Sequence, residues 1–182
     1  MTSNNLKKIM LYCLSFLAIW GLYIVKIAPT YIAGDSAETI MAFNCLGIQH
    51  PPGYALNTII GKIFLLIPVG NIMFRGAMMA MFFNVITASV LFIMALAIFA
   101  EKEKKYEVLF VSLMTALLYL FSNTVFFQGL SAKGSVYTLQ GFLIAVIFIS
   151  LLKFNTQTKY IYLASFIFGL PSFFATVSVK ST

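Results

Sequence analysis

Acidic residues are scarce in this sequence: Asp and Glu together number five among 182 residues, and there is a single His. All charged residues make up 9% of the chain, against about 25% in a soluble domain. That shortage, with 61% hydrophobic residues and a mean hydropathy of +0.96, excludes an ordinary soluble globular domain. One His and two Cys also exclude the usual metal centres, since there is no His-x-x-x-His and no Cys pair. No metal-ligand spacing is present, and the sequence names no cofactor. There is no Gly-rich phosphate loop before a helix and no nucleophile elbow. Cys13 falls in an apolar run and Cys45 in the loop after it, which argues against a structural disulfide. The isoelectric point near 9.5 could suggest nucleic acid as a partner. The lysines are dispersed at the ends of apolar runs rather than gathered in a patch, so nucleic acid is rejected and the lipid bilayer is the expected partner.

What is present is oil, ordered into runs. About 20 apolar residues are needed to cross roughly 30 Å of hydrocarbon. Five runs qualify, at about 9–27, 73–100, 106–127, 136–153 and 160–179. The nineteen Phe and nine Tyr suit lipid-facing helices with aromatic belts. A signal peptide would have a shorter core of about 7–15 residues and a small-residue cleavage site. The first run instead continues to Lys26 without Ala-x-Ala, so it reads as an uncleaved span. The expected fold is an all-α, multi-pass integral membrane protein of about five spans, with residues 1–182 as one transmembrane domain. If the spans alternate, Lys7, Lys8, Lys102, Lys104, Lys105, Lys153 and Lys159 share one side, which is then cytoplasmic. Lys62, Arg75 and Lys133 lie on the other side. In a bacterium this is the cell membrane, with the N-terminus in the cytoplasm. Inside the spans, Asn84, Thr87 and Ser89 are expected to bond between helices, and Pro171 to kink the last one.

The loop between the first two spans is the unusual part. "ALNTIIGKIFLLIP" reaches roughly 21 Å as a helix, too short to cross. Asn57, Thr58, Gly61 and Lys62 share one face; Leu56, Ile59, Ile60, Ile63, Phe64 and Ile67 share the other. That pattern predicts an interfacial helix, ended by Pro68 and Gly70. A second interfacial helix is expected over 36–46, closed by Gly47. Between them runs "GIQHPPGY", in which His50 precedes a proline and is pushed toward extended backbone.

Asp35 and Glu38 stand at the start of the first of these helices. Asp-x-x-Glu is the pattern of a capping box, which accounts for the pair by itself. Acids near the membrane surface also mark functional sites, and the sole His lies close in sequence. The candidate chemistry is carboxylate chemistry with cations at hand: Asp35, Glu38, His50, Lys62, Arg75 and Lys133.

The ordered set Gly34, Asp35, Ser36 and Glu38, then Gly47, Ile48, His50, Pro51, Pro52, Gly53 and Tyr54, then Gly61 and Lys62, then Pro68, Gly70, Asn71 and Arg75 resembles a bacterial membrane-protein family grouped with the protein O-mannosyltransferases. Ala37 and Ala55 replace a usual Gly and Pro, and Ser135 in "GSVYTLQ" stands where the family usually has Glu. The family resembles type C glycosyltransferases, whose first outer loop carries an essential Asp on interfacial helices. Their donor is a polyprenyl-phosphate sugar. The resemblance implies Asp35 as catalytic base with Glu38 beside it, and His50, Tyr54, Lys62 and Arg75 as substrate-binding residues. It covers 31–84 closely and the rest by hydropathy. Family members run to several hundred residues, so the chain corresponds to the N-terminal part of such an enzyme.

Two readings follow. The chain is a glycosyltransferase-like protein moving a mannose-like sugar from a polyprenyl-phosphate donor to an acceptor hydroxyl on the outer face. Alternatively it is a non-catalytic membrane subunit, or an inactive fragment of such an enzyme, completed by a partner chain. A transporter fits poorly, because the later spans hold almost no inward ionisable residues. The lysine distribution predicts that a cysteine placed at position 49 reacts with a membrane-impermeant reagent from outside, and that one at position 103 does not. The reverse labelling pattern would overturn the topology.

Overall fold

The computed structural model describes residues 21, 23–27, 34–49, 54–99, 105–154 and 157–179, with side chains as far as residue 169. The first expected span lies outside the described residues apart from a helical turn at 23–26 ending in Ile27, and so do His50 and most of the 101–105 lysine cluster. Seven helices follow among the described residues: α1 (Ser36–Cys45), α2 (Ala55–Leu65), α3 (Ile72–Phe99), α4 (Lys105–Phe121), α5 (Asn123–Gln128), α6 (Gly134–Phe154) and α7 (Lys159–Val179). Two of them, α3 and α6, are long and apolar enough to cross a membrane.

α3 is apolar all round because it is packed on both sides. Its heaviest packing is against α6 and α4, while α1 and α2 pack together beside it and α7 packs on α6. Met81, Val85 and Ala88 face Tyr23, Ile27, Ala116 and Leu120. Met79 and Phe83 face Ile40, Phe43, Leu65, Ala132 and Leu139. The outer surfaces carry exposed Phe110, Leu118, Phe148 and Phe166. A continuous apolar exterior of this kind suits lipid rather than water.

The run expected as one span at 106–127 is two helices. α4 stops at Phe121, Ser122 turns extended with ψ near 129°, and α5 begins at Asn123. Ser-Asn-Thr supplies three side chains that compete with the helical backbone, so the break falls there. It frees carbonyls that an apolar surround cannot hydrate. Tyr23 Oη donates to the Leu120 carbonyl at 3.0 Å, and Asn84 Nδ2 donates to the Val125 carbonyl at 2.9 Å. Asn84 Nδ2 also reaches Tyr23 Oη at 3.1 Å, and Tyr119 Oη donates to Asn84 Oδ1 at 3.1 Å. Gly129 closes the knot, since a Cβ there would run into Asn84 and Tyr23 at 2.6 Å. The expected interhelical role holds for Asn84, and Thr87 also meets the Tyr119 hydroxyl of α4. Thr87 and Ser89 bond back to Phe83 and Val85 of their own helix, as hydroxyls commonly do in apolar helices.

Two further details differ from expectation. α1 closes on Leu46, not Gly47: Leu46 takes the left-handed conformation at φ 53°, and Gly47 N–H bonds the Ala42 carbonyl at 3.0 Å. The polar stripe of α2 is buried rather than wet. Asn57, Thr58 and Gly61 face inward while Ile59 and Ile63 are exposed. The stripe faces inward because Gly61 lets the Phe43 ring of α1 lie directly on the helix backbone. An interfacial helix with its polar side to water would have the opposite roll.

Asn84→Leu keeps the volume and removes three hydrogen bonds, and is expected to destabilise the fold by about 1–3 kcal/mol. Thr87→Val removes a bond within α3 and one contact with Tyr119, and should cost less, about 1 kcal/mol. Thermal unfolding of the purified variants in detergent measures both, and equal midpoints would refute the knot's role.

Candidate functional site

Asp35 is the N-cap of α1, yet its carboxylate makes no capping hydrogen bond. The Asp35 carbonyl accepts the first bond of the helix, from Thr39 N–H at 3.0 Å, and another from Thr39 Oγ1 at 2.9 Å. Its side chain is left half-exposed, with Oδ2 3.3 Å from Lys133 Nζ. The capping box predicted from Asp-x-x-Glu is therefore not the role of this carboxylate. Glu38 stays in the first turn of α1, where an acid is favoured by the helix dipole.

Lys133 arrives from the turn between α5 and α6, almost 100 residues away in sequence. Its side chain is only 13% exposed. The ammonium lies 5.1 Å above the Tyr54 ring, a distance at which a cation is attracted to the ring face. Tyr54 is the N-cap of α2 and sits left-handed at φ 45°, a strained conformation for an aromatic residue. One lysine thus joins Asp35, Tyr54 and the start of α6.

A buried polar chain holds the loop under this junction. Thr39 Oγ1, whose one proton is shared between the Asp35 carbonyl and Gln49 Oε1, lies 3.3 Å from the latter, and Gln49 Nε2 donates to Thr58 Oγ1 at 3.2 Å. Gln49 is almost wholly buried, so the residue before His50 is tied to both α1 and α2. His50 itself lies outside the described residues.

The two cations expected to meet substrate are engaged elsewhere. Lys62 Nζ donates to the Asn44 carbonyl, at the end of α1. Arg75 donates from Nη1 to Leu65 at 2.9 Å, from Nε to Val69 at 3.1 Å and from Nη2 to Gly70 at 3.1 Å. All three acceptors are carbonyls at or just past the end of α2. Helix ends carry unpaired carbonyls and partial negative charge, which a guanidinium fork satisfies well. These residues fix the two short helices rather than reaching the Asp35 junction.

The sequence places Lys133 last among the cations, marks Asn57 only as part of a polar face and Ser135 only as a departure from the family pattern, and gives no sign of Gln49. Ser135 is completely buried in the first turn of α6, and its hydroxyl has no hydrogen-bond partner among the described residues. Both side-chain atoms of buried Asn57 are likewise unpartnered. Each such group costs about 1–3 kcal/mol when left unsatisfied. Among the described residues no three His, Cys, Asp or Glu side chains cluster as a metal site.

Comparisons with known proteins agree on one relationship. Residues 35–177 match the family model described as the protein O-mannosyl-transferase TMEM260 N-terminal domain. The mouse (Mus musculus) protein O-mannosyl-transferase TMEM260 is 32% identical over 78 residues, which cover 42% of this chain and 11% of the mouse protein. No solved structure matches the chain.

Arg75→Ala strips three carbonyls of their donor and is expected to cost about 2–3 kcal/mol of stability. Arg75→Lys should recover only part of it, since an ammonium cannot fork. Thermal unfolding in detergent reads both, and full recovery by Lys would show that charge alone matters.

Proposed function

The chain belongs to the protein O-mannosyl-transferase TMEM260 N-terminal domain family, and from that premise we propose that it works as a multi-pass membrane glycosyltransferase-like protein. It moves a mannose-like sugar from a polyprenyl-phosphate donor to an acceptor hydroxyl on the outer face of the membrane. Five spans and a cytoplasmic N-terminus belong to the same reading, with α1 and α2 beside the outer headgroups.

One observation carries it: the Asp35 carboxylate caps nothing, remains half-exposed, and is paired to a buried lysine. The acceptor oxygen attacks the anomeric carbon as its proton passes to Asp35. The bond from that carbon to the lipid phosphate breaks, and the electron pair leaves on the phosphate oxygen. General-base help of this kind supplies about 10²–10⁴-fold. Charge developing on the leaving phosphate needs a fixed cation or aligned donors. Glu38, in the same first turn, orients the base or the acceptor. His50 and Tyr54 line the approach, on the family resemblance. Lys62 and Arg75 support the reading only as braces for α1 and α2.

Asp35→Asn tests the base. Asn serves an N-terminal helix position about as well as Asp but cannot take up a proton as a carboxylate does. Transfer from a labelled polyprenyl-phosphate sugar by membranes carrying Asp35→Asn should fall at least about 100-fold while the chain remains folded. Glu38→Gln should be milder. Transfer at the natural rate by Asp35→Asn would end the catalytic reading and leave the membrane-subunit one.

A further inference from the structure

We propose that the junction of the α1, α2 and α6 starts is a binding site for a phosphate-class anion, held by Lys133, Ser135 and Asn57, and that the Asp35 carboxylate stands in for that anion until it arrives. The link to a lipid donor rests on the glycosyltransferase reading above. The anion site itself can be read without turnover.

Three helices begin at this point. Asp35 caps α1, Tyr54 caps α2, and Lys133 immediately precedes α6. Helix starts carry unpaired N–H groups and partial positive charge, the usual setting for phosphate. Lys133 Nζ ties them together, 3.3 Å from Asp35 Oδ2 and 5.1 Å from the centre of the Tyr54 ring.

The second observation is independent of the helix ends. Among the described residues, polar groups in the same first turns are buried without hydrogen-bond partners. Ser135, two residues beyond Lys133, has an orphaned hydroxyl at full burial. Asn57, three residues beyond Tyr54 on the inward face of α2, has an orphaned carboxamide. The Lys133 ammonium is itself buried without a hydrogen bond, since its contact with Asp35 is an ion pair only. One carboxylate leaves this donor set largely idle. A phosphate ester offers two or three acceptor oxygens and can engage the hydroxyl, the amide and the ammonium together. Lys62 and Arg75 are turned to other partners, carbonyls at the ends of α1 and α2.

A functional coupling follows. The anion and Asp35 compete for one ammonium. As phosphate draws Lys133 toward itself, the pair with Asp35 loosens, and the carboxylate is left to accept a proton from the acceptor. Donor binding therefore switches on the base, and a chain without donor holds it neutralised.

The test is titration of the full chain in detergent with inorganic phosphate and with farnesyl phosphate, read by calorimetry. Asp35→Asn removes the internal competitor and should bind phosphate about 3–10-fold tighter than the natural chain. Lys133→Gln should weaken binding at least about 10-fold, and Lys133→Arg, which keeps the charge, should stay within about threefold and guards against a folding artefact. Ser135→Ala should weaken it by about threefold or more. Tighter binding of farnesyl phosphate than of inorganic phosphate supports a lipid phosphate as the ligand; equal binding supports free phosphate at the same site. No binding to the natural chain, or unchanged or weaker binding by folded Asp35→Asn, overturns the proposal. Tightened phosphate binding by an Asp35→Asn chain that still transfers sugar at the natural rate would remove the catalytic reading and keep the anion site.

Discussion

A helix broken inside an apolar bundle must have its freed carbonyls paired, and Tyr23, held in place by Asn84, meets that constraint here at Leu120. The Leu120 carbonyl before Ser122 receives Tyr23 Oη, and Asn84 adds a second donor to the Val125 carbonyl, which already accepts from Gly129 N–H. Without those donors the break would be too costly in an apolar surround, and α4 would be expected to run on as a straight rod. With them the chain can turn through the short α5 and bring Lys133 to the start of α1. The site near the helix starts thus depends on a knot buried within the bundle.

Helix polarity sorts the cations of the central region. Lys62 and Arg75 meet carbonyls at the C-terminal ends of α1 and α2, where the dipole is negative. Lys133 lies at three N-terminal ends, where a cation is disfavoured by the dipoles and needs the Asp35 carboxylate and the Tyr54 ring to hold it. A positive side chain held among positive helix ends is poor economy for stability alone. It becomes sensible where an anion has to be received. The strained backbone of Tyr54 belongs to the same picture, because strain persists where neighbouring contacts over-determine a geometry.

The family match begins at Asp35 and includes Lys133 and Ser135. The aligned mouse protein is far longer than the stretch it shares with this chain. What this region of the chain supplies is a frame: two short helices braced at their ends, bolted by Thr39, Gln49 and Thr58, and packed on α3 through Phe43 and Leu65. Such a frame fixes a carboxylate without employing it as a cap.

Composition and periodicity determined the all-helical, apolar character of the chain, the two short helices before α3, and the interest of Asp35. Those are properties of local sequence: apolar run length, turn residues and acid scarcity act within a few residues of one another. The resemblance carried Tyr54 into the site as well. Four things needed the tertiary structure. Ser122 reads as an ordinary polar residue in an apolar run until donors from Tyr23 and Asn84 make a break tolerable. The polar stripe of α2 reads as a wet face until Gly61 and Phe43 fix its roll. Lys62 and Arg75 read as site cations because they are close in sequence, whereas helix-end carbonyls bind them. Lys133 is distant in sequence from Asp35 and close in space, and only the path of the chain through α4 and α5 brings its charge to the carboxylate.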